Sequence, residues 1–93
     1  MPTSQQRYVV RFIGRVQGVG FRATCVSRAF DLQVNGFVRN EPDGSVLLDV
    51  DGDITDLKEL MTRIRSSMKE NIDDVVLDKR ESLGRSDGFQ IAW

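Results

Sequence analysis

The 93-residue sequence predicts an α+β fold, a ferredoxin-like α/β sandwich with an antiparallel sheet and two helices on one face. Three observations predict it. Apolar residues alternate with a period of two in several segments, and they recur with helical spacing in two others. The segments follow one another as βαββαβ, plus a short final strand. Because strand–helix–strand units are right-handed, both helices must cover the same face of the sheet.

The first three elements are a strand, a glycine-rich loop and a helix. Residues 7–13 alternate as a strand whose even-numbered residues should point inward, because the odd-numbered face includes an arginine. Residues 14–20 contain three glycines and predict a loop. Residues 21–32 lack glycine and proline and predict a helix. The expected apolar face of this helix consists of Phe21, Cys25, Ala29 and Leu32, flanked by Val26 and Phe30.

A β-hairpin follows. Asn35 and Gly36 break the helical pattern, and a second strand is expected over residues 37–40. The turn at residues 41–44 contains a proline that fixes φ, followed by an Asp-Gly pair that tolerates left-handed backbone. The chain then returns as a third strand over residues 45–50.

The remaining elements are a helix and two strands. Asp53 is the expected N-cap of the second helix. A strand is predicted over residues 72–81, a loop over 83–88 and a short last strand over 89–93. The apolar stripe of the second helix consists of Leu57, Leu60, Met61, Ile64 and Met68.

Composition predicts one domain over residues 1–93, with an ordered core over about 7–93. No apolar run approaches the ~18 residues that span a bilayer, so no membrane partner is expected. Cys25 is the only cysteine and cannot form an internal disulfide, which predicts a reducing, cytoplasmic location. Histidine is absent, which excludes Ser-His-Asp triads, Cys-His pairs and most zinc sites. Nothing in the sequence requires more than a monomer.

Charge is divided unevenly along the chain. Residues 1–40 contain six arginines against one acidic residue, Asp31, whereas residues 41–93 contain 7 basic and 13 acidic side chains. This asymmetry fits the simple dipolarity of a small domain. It also fits an anion site in the first half, with the acidic second half as solvated surface.

The segment of residues 14–22, GRVQGVGFR, leaves a strand and enters a helix. Glycines in such a loop allow several backbone N–H groups to form a concave anion nest, which the N-terminus of the helix reinforces. Arg22 could offer its planar guanidinium to two phosphate oxygens. Glycine-rich turns are common, so the residues alone favour an ordinary turn and leave an anion site open as the alternative. The loop lacks the Gly-Lys-Ser/Thr ending of a Walker motif, and the fold lacks the parallel sheet of a dinucleotide site.

Two motifs make the sequence resemble the acylphosphatase family. The pattern G-x-V-Q-G-V-x-F-R is met in full by residues 14–22, and G-[FYW]-V-x-N-x-x-D-G-x-V by residues 36–46. The resemblance covers essentially the whole chain, including the Gly-Phe-x-Ile ending at residues 88–91. It implies a metal-independent hydrolase without a cofactor, which cleaves the carboxyl–phosphate bond of acyl phosphates by in-line attack of water.

The resemblance also implies residue roles. Arg22 and the backbone amides of residues 15–20 would bind the phosphate group, or inorganic phosphate or sulfate in its place. Asn40 would position the attacking water, although its place in the sequence suggests only a polar residue bonding locally before a turn. Arg11 and Arg39 have no implied role and are expected to be solvated, as is the side chain of Arg15. The implied phosphate-binding set is Arg15, Val16, Gln17, Gly18, Val19, Gly20 and Arg22; the catalytic pair is Arg22 and Asn40; no metal ligand is implied.

Two alternative functions remain open at this point. One is a non-catalytic phosphate- or anion-binding module, and the other is a domain that handles carbamoyl phosphate within a larger protein. The sequence ends directly after the motif-bearing domain, which favours a free-standing enzyme. Nucleic-acid binding is disfavoured by the pI of 5.3 and the few aromatic residues. If the last strand ends beside the loop, the carboxylate of Trp93 would lie near Arg22.

Overall fold

The computed structural model describes residues 4–93, in which five strands and two helices follow the predicted order. The first three residues of the predicted domain lie outside the described part of the chain. All five strands form one sheet in the order β4-β1-β3-β2-β5. The elements are β1 (Gln5–Gly14), α1 (Phe21–Ala29), β2 (Val34–Asn40), β3 (Val46–Asp53), α2 (Ile54–Ser67), β4 (Ile72–Arg80) and β5 (Phe89–Ala92).

The core lies between the two helices and one face of the sheet, as predicted. The even-numbered residues of β1 and β3 share this face, because Val10 pairs with Leu48 and both side chains are fully buried. Asp53 caps α2 by accepting a hydrogen bond from the Thr55 amide at 2.9 Å. Within residues 4–93, no helix is long and apolar enough to cross a membrane. Every residue of the apolar stripe predicted for α2 is buried: Leu57, Leu60, Met61, Ile64 and Met68.

The sheet differs from the prediction at its last strand. The four strands β1 to β4 pair antiparallel, but β5 pairs with β2 in parallel. The reason is topological: β2 runs in the same direction as β1, and so does β5 when the chain returns after β4. Because β4 and β5 are opposite edges of the sheet, residues 81–88 must cross from one edge to the other. We call residues 81–88 the crossover loop.

Two boundaries near α1 also differ from the prediction. The helix ends at Ala29 instead of residue 32, because the Leu32 amide donates to the Ala29 carbonyl in a tight turn at 3.0 Å. Phe30, expected beside the core, is therefore 90% exposed. β2 begins at Val34 and includes Gly36, whose φ of 142° and close approach to the Asp49 carbonyl leave no room for a Cβ.

The sheet face away from the helices carries a buried group of charges. Asp49 and Asp51 are only 6% and 1% exposed, so the prediction that the acidic second half is solvated surface is wrong for both. Arg7 binds Asp49 through two hydrogen bonds of 2.8 Å, and Arg85 of the crossover loop reaches both aspartates at 2.7–2.8 Å. We call these four residues the aspartate cluster.

The aspartate cluster fixes the crossover loop to the sheet. Asp51 also accepts hydrogen bonds from the Ser82 hydroxyl at 2.8 Å and from the Leu83 amide. Burial alone would raise the pKa of Asp49, but the hydrogen bonds from Arg7 and Arg85 outweigh it and lower that pKa to about 2. The crossover loop is thus held by carboxylates on the sheet, which fixes the position at which β5 begins.

Candidate active site

The glycine-rich loop connects β1 to α1, where the sequence predicts it. Gly18 and Gly20 have φ values of 76° and 78°, whereas Val19 between them has a negative φ. This alternation in the sign of φ is the backbone pattern of an anion nest. A Cβ on either glycine would meet no neighbouring atom, so the left-handed conformation and not crowding is what requires glycine here.

The first turn of α1 leaves its amides available. Gly20 occupies the N-cap position and provides no side-chain cap, and the turn contains no acidic residue. The Thr24 amide, which donates to the Gly20 carbonyl at 3.0 Å, begins the helical hydrogen bonding. The preceding N–H groups of the helix and the positive end of its dipole therefore face the same region as the nest.

The backbone at Arg15 does not fit the predicted site. Its amide donates to the Asn71 carbonyl at 2.9 Å, and the Asn71 side chain donates to the Arg15 carbonyl at 3.0 Å. Because this amide already has a partner within the protein, its hydrogen bonding argues against the implied phosphate-binding role, and we leave it out of the proposed site. The cause is the irregular pairing of β1 with β4 at Ile13 and Gly14, which brings the residue just before β4 against the loop.

Gln17 holds the loop against the β2–β3 hairpin. Its side-chain amide donates to the carbonyls of Glu41 and Ser45, at 2.7 and 2.9 Å. These two residues flank the hairpin turn, and Asn40 directly precedes Glu41. Val16 adds an apolar anchor, since it is 1% exposed in the core. These contacts fix the position of the loop relative to the end of β2.

Loop, helix and hairpin enclose a cavity of about 230 Å³. Five predicted residues line it, whereas Arg15, Gln17 and Val19 do not. Ile91 of β5 and Trp93 after it also line the cavity, although neither was among the predicted site residues, because the pairing of β5 with β2 was not predicted. The lining residues are Val16, Gly18, Gly20, Phe21, Arg22, Ala23, Asn40, Ile91 and Trp93.

The side chains of Arg22 and Asn40 line this cavity, and neither side chain has a hydrogen-bond partner among residues 4–93. The guanidinium carbon of Arg22 lies 4.4 Å from the centroid of the Trp93 ring. The expectation concerned the carboxylate of Trp93, whereas the contact found in the structure is made by its indole ring. Such a cation–π contact orients an arginine without neutralising its charge.

The hairpin turn next to Asn40 is stabilised by another residue. The Asp43 carboxylate accepts hydrogen bonds from the Ser45 amide at 2.9 Å and the Ser45 hydroxyl at 2.6 Å. The interpretation of Asn40 as a residue that bonds locally before the turn is therefore wrong. Its amide group is left to face the cavity.

The other arginines of the first half differ in their surroundings. Arg15 is exposed, as expected. Arg39 and Arg11, however, are not free: Arg39 pairs with Glu41 at 3.0 Å, and Arg11 with Asp43 at 3.3 Å. Their charge is partly balanced by the hairpin, which leaves Arg22 as the cation that faces the cavity.

Two further observations concern reactive groups. Burial raises the pKa of the Cys25 thiol to about 12, so this cysteine stays protonated and is a core residue. In the described part of the chain, no three His, Cys, Asp or Glu side chains are grouped so that they could hold a metal ion.

Comparison with known proteins gives a consistent result. The family model described as Acylphosphatase matches residues 8–91. The acylphosphatase of Salinibacter ruber is 36% identical over 89 residues, which cover 95% of this chain and 94% of that protein. That of Haloarcula marismortui is 40% identical over 81 residues, covering 86% and 88%. The crystal structure of acylphosphatase from Bacillus subtilis superimposes with a TM-score of 0.83 at 26% identity, covering 95% of this chain and 99% of that one.

Proposed function

The chain belongs to the acylphosphatase family, and we propose that it hydrolyses acyl phosphates to a carboxylate and inorganic phosphate in the cavity beside the loop. In this proposal, Arg22 and the backbone amides of residues 16–20 hold the phosphate group, and Asn40 positions the attacking water. The observation that carries the proposal is that one cavity joins a glycine nest with two polar side chains that have no hydrogen-bond partner among residues 4–93.

Phosphate binding follows from three sources of positive potential. The nest at Gly18 and Gly20 offers backbone donors, and the start of α1 adds amides and a helix dipole. The guanidinium of Arg22 adds a full charge with two parallel donors that match two phosphate oxygens. No acidic side chain in the first turn competes for these donors.

The chemistry requires little else from the protein. The leaving carboxylate has a conjugate acid with a pKa near ~4, so it departs as an anion without a general acid. Phosphoryl transfer passes through a loose transition state, in which charge on the equatorial oxygens must be stabilised and the nucleophile held in line. Donors that the fold fixes in advance provide this stabilisation, because they need no reorganisation during the reaction.

Asn40 is suited to orienting a water molecule. Its side-chain amide contains both a donor and an acceptor, so it can fix the position and the direction of one water. Its backbone is held by pairing with Val46 across the hairpin, and Gln17 links the hairpin to the phosphate loop. In our proposal the proton of the attacking water passes to a phosphate oxygen of the substrate.

We also propose that the protein acts as a monomer in the cytoplasm. The single cysteine is buried and unpaired, as expected in a reducing compartment. All residues assigned to the site belong to one chain, so catalysis needs no second copy. Light scattering at micromolar concentration should give one mass, that of the 10.5 kDa chain; a dimer mass would contradict the monomer.

The test is hydrolysis of benzoyl phosphate in the presence of EDTA. We expect the wild type to turn over, and Asn40→Ala to lose at least ~10²-fold in kcat while its affinity for inorganic phosphate is unchanged. Gln33→Ala is the matched control, because it removes an exposed amide far from the cavity. A folded wild type that binds phosphate without turnover would instead be a binding module. Turnover of carbamoyl phosphate alone would favour the carbamoyl-phosphate alternative.

A further inference from the structure

The cavity has an apolar side that phosphate binding does not use. Ile91 and Trp93 line it together with Val16, which lies at the start of the loop. Trp93 is 89% exposed, although a large aromatic ring at the surface loses the benefit of burial. The exposure of this large ring next to the proposed phosphate site indicates that it contacts a ligand.

The sheet directs this ring toward the site. Phe89 and Ile91 pack against the core on the helix side of β5, and Trp93 continues their alternation. In the parallel pairing of β5 with β2, the last paired residues are Ala92 and Arg39. Trp93 and Asn40, which follow them, therefore lie side by side at the same end of the two strands. The indole thereby lies between the end of β2 and the first turn of α1.

We propose that the indole of Trp93 is a platform for aromatic acyl groups, which makes this enzyme selective for aryl over short alkyl acyl phosphates. The proposal rests on the proposed function, because it takes the phosphate group to be held by Arg22. An acyl group is joined to that phosphate through a single oxygen. The indole lies 4.4 Å from the Arg22 guanidinium carbon, so the acyl group of a bound substrate is within reach of the ring.

An aryl group gains more from this surface than a methyl group does. Part of the indole contacts the guanidinium, and the rest is open to solvent and available for an offset or edge-to-face contact. Ile91, which is partly exposed, extends the apolar surface beside it. A methyl group, as in acetyl phosphate, has no π-system to stack and covers much less of the ring.

The first test compares kcat/KM for benzoyl phosphate and acetyl phosphate. We expect Trp93→Ala to reduce the benzoyl-to-acetyl ratio about fivefold, the size of one aromatic contact, and Trp93→Phe to retain most of it. Phe30→Ala is the matched control, because Phe30 is 90% exposed and does not line the cavity. If Trp93→Ala lowers both values by the same factor, the ring acts only through Arg22 and the platform is refuted.

The second test does not depend on turnover. By calorimetry, the wild type should bind benzylphosphonate about fivefold more tightly than methylphosphonate, and Trp93→Ala should bind both equally. Equal affinities in the wild type would refute the platform. Absence of hydrolysis by the wild type would count against the proposed function alone, since the phosphonates test the platform separately.

Discussion

The aspartate cluster and the active-site cavity both contain arginine, but they differ in what surrounds it. In the cluster, Arg85 binds two carboxylates at 2.7–2.8 Å, and these carboxylates are buried. In the cavity, Arg22 has no carboxylate partner within residues 4–93 and lies against an indole ring. The first arginine stabilises the fold, and in the proposed function the second keeps its charge and donors for the phosphate group.

Charged side chains therefore have two different uses in this molecule, one in stability and one in binding. A buried ion pair must be complete, because one partner left alone keeps the full desolvation penalty. A binding site must be incomplete, because its donors have to be free when the substrate arrives. Variants of the two regions should therefore lose stability and activity independently.

The largest effect should come from the arginine of the cavity. Arg22→Ala should lower kcat/KM by about 10²–10³-fold, because it removes donors and charge from the phosphate group. Its free energy of unfolding should stay within about 0.5 kcal/mol of wild type, since no fold contact besides the indole is lost. Arg22→Lys should rescue poorly, as an ammonium cannot make the two-donor contact. Assays of hydrolysis and urea unfolding measure both quantities.

Arg65→Ala, at the exposed end of α2, is the control for charge alone. This variant should leave kcat/KM and the free energy of unfolding near the wild-type values. Equal affinity for inorganic phosphate in wild type and Arg22→Ala would remove Arg22 from the site.

The opposite result is expected in the aspartate cluster. Asp51→Ala should lower the free energy of unfolding by about 3 kcal/mol, because it removes one of the two carboxylates that bind Arg85 and leaves the Leu83 amide without its buried acceptor. Turnover per folded molecule should be retained, since Asp51 does not line the cavity. Asp87→Ala, in the exposed part of the same loop, should change neither quantity. Wild-type stability in Asp51→Ala would show that the cluster does not hold the loop.

A smaller effect should follow from pH. The folded-state pKa of Asp49, about 2, lies below the ordinary value of 3.8, so its stabilisation is fully present above about pH 4. It should be lost as pH falls from about 4 to about 2, by about 2 kcal/mol. Asp49→Asn should remove this part of the pH dependence. Other carboxylates titrate in the same range, so the difference between the two urea-unfolding curves is the measurement, and parallel curves would contradict it.

The elements with strong local signals could be predicted from the sequence. The alternation in β1, the apolar stripe of α2 and the cap at Asp53 each depend on neighbouring residues, and each is found in the structure. The loop between β1 and α1 was located by its glycines. That Arg22 and Asn40 line one cavity was implied by the family resemblance, because spacing alone does not bring residues 18 positions apart together.

The features that could not be predicted from the sequence depend on contacts between residues far apart in the chain. The Arg15 amide is occupied by Asn71, which only the pairing of β1 with β4 brings near. Asp51 is buried because the crossover loop covers it, although its sequence neighbours are those of an exposed strand face. The indole beside Arg22 depends on β5 joining β2 in parallel at the far edge of the sheet. In each case tertiary contacts overrode a local pattern.

The position of β5 has a consequence for how activity appears during folding. β1 pairs with two later strands, β3 and β4; Val10, for example, pairs with Leu48 and with Leu77. The sheet is therefore dominated by contacts between distant parts of the chain. Such topologies fold slowly for their length. The cavity combines the early loop with Ile91 and Trp93 from the end of the sequence, so it cannot form as a local unit. Recovery of hydrolysis during refolding therefore reports completion of the whole domain, and no partly folded form should be an active catalyst.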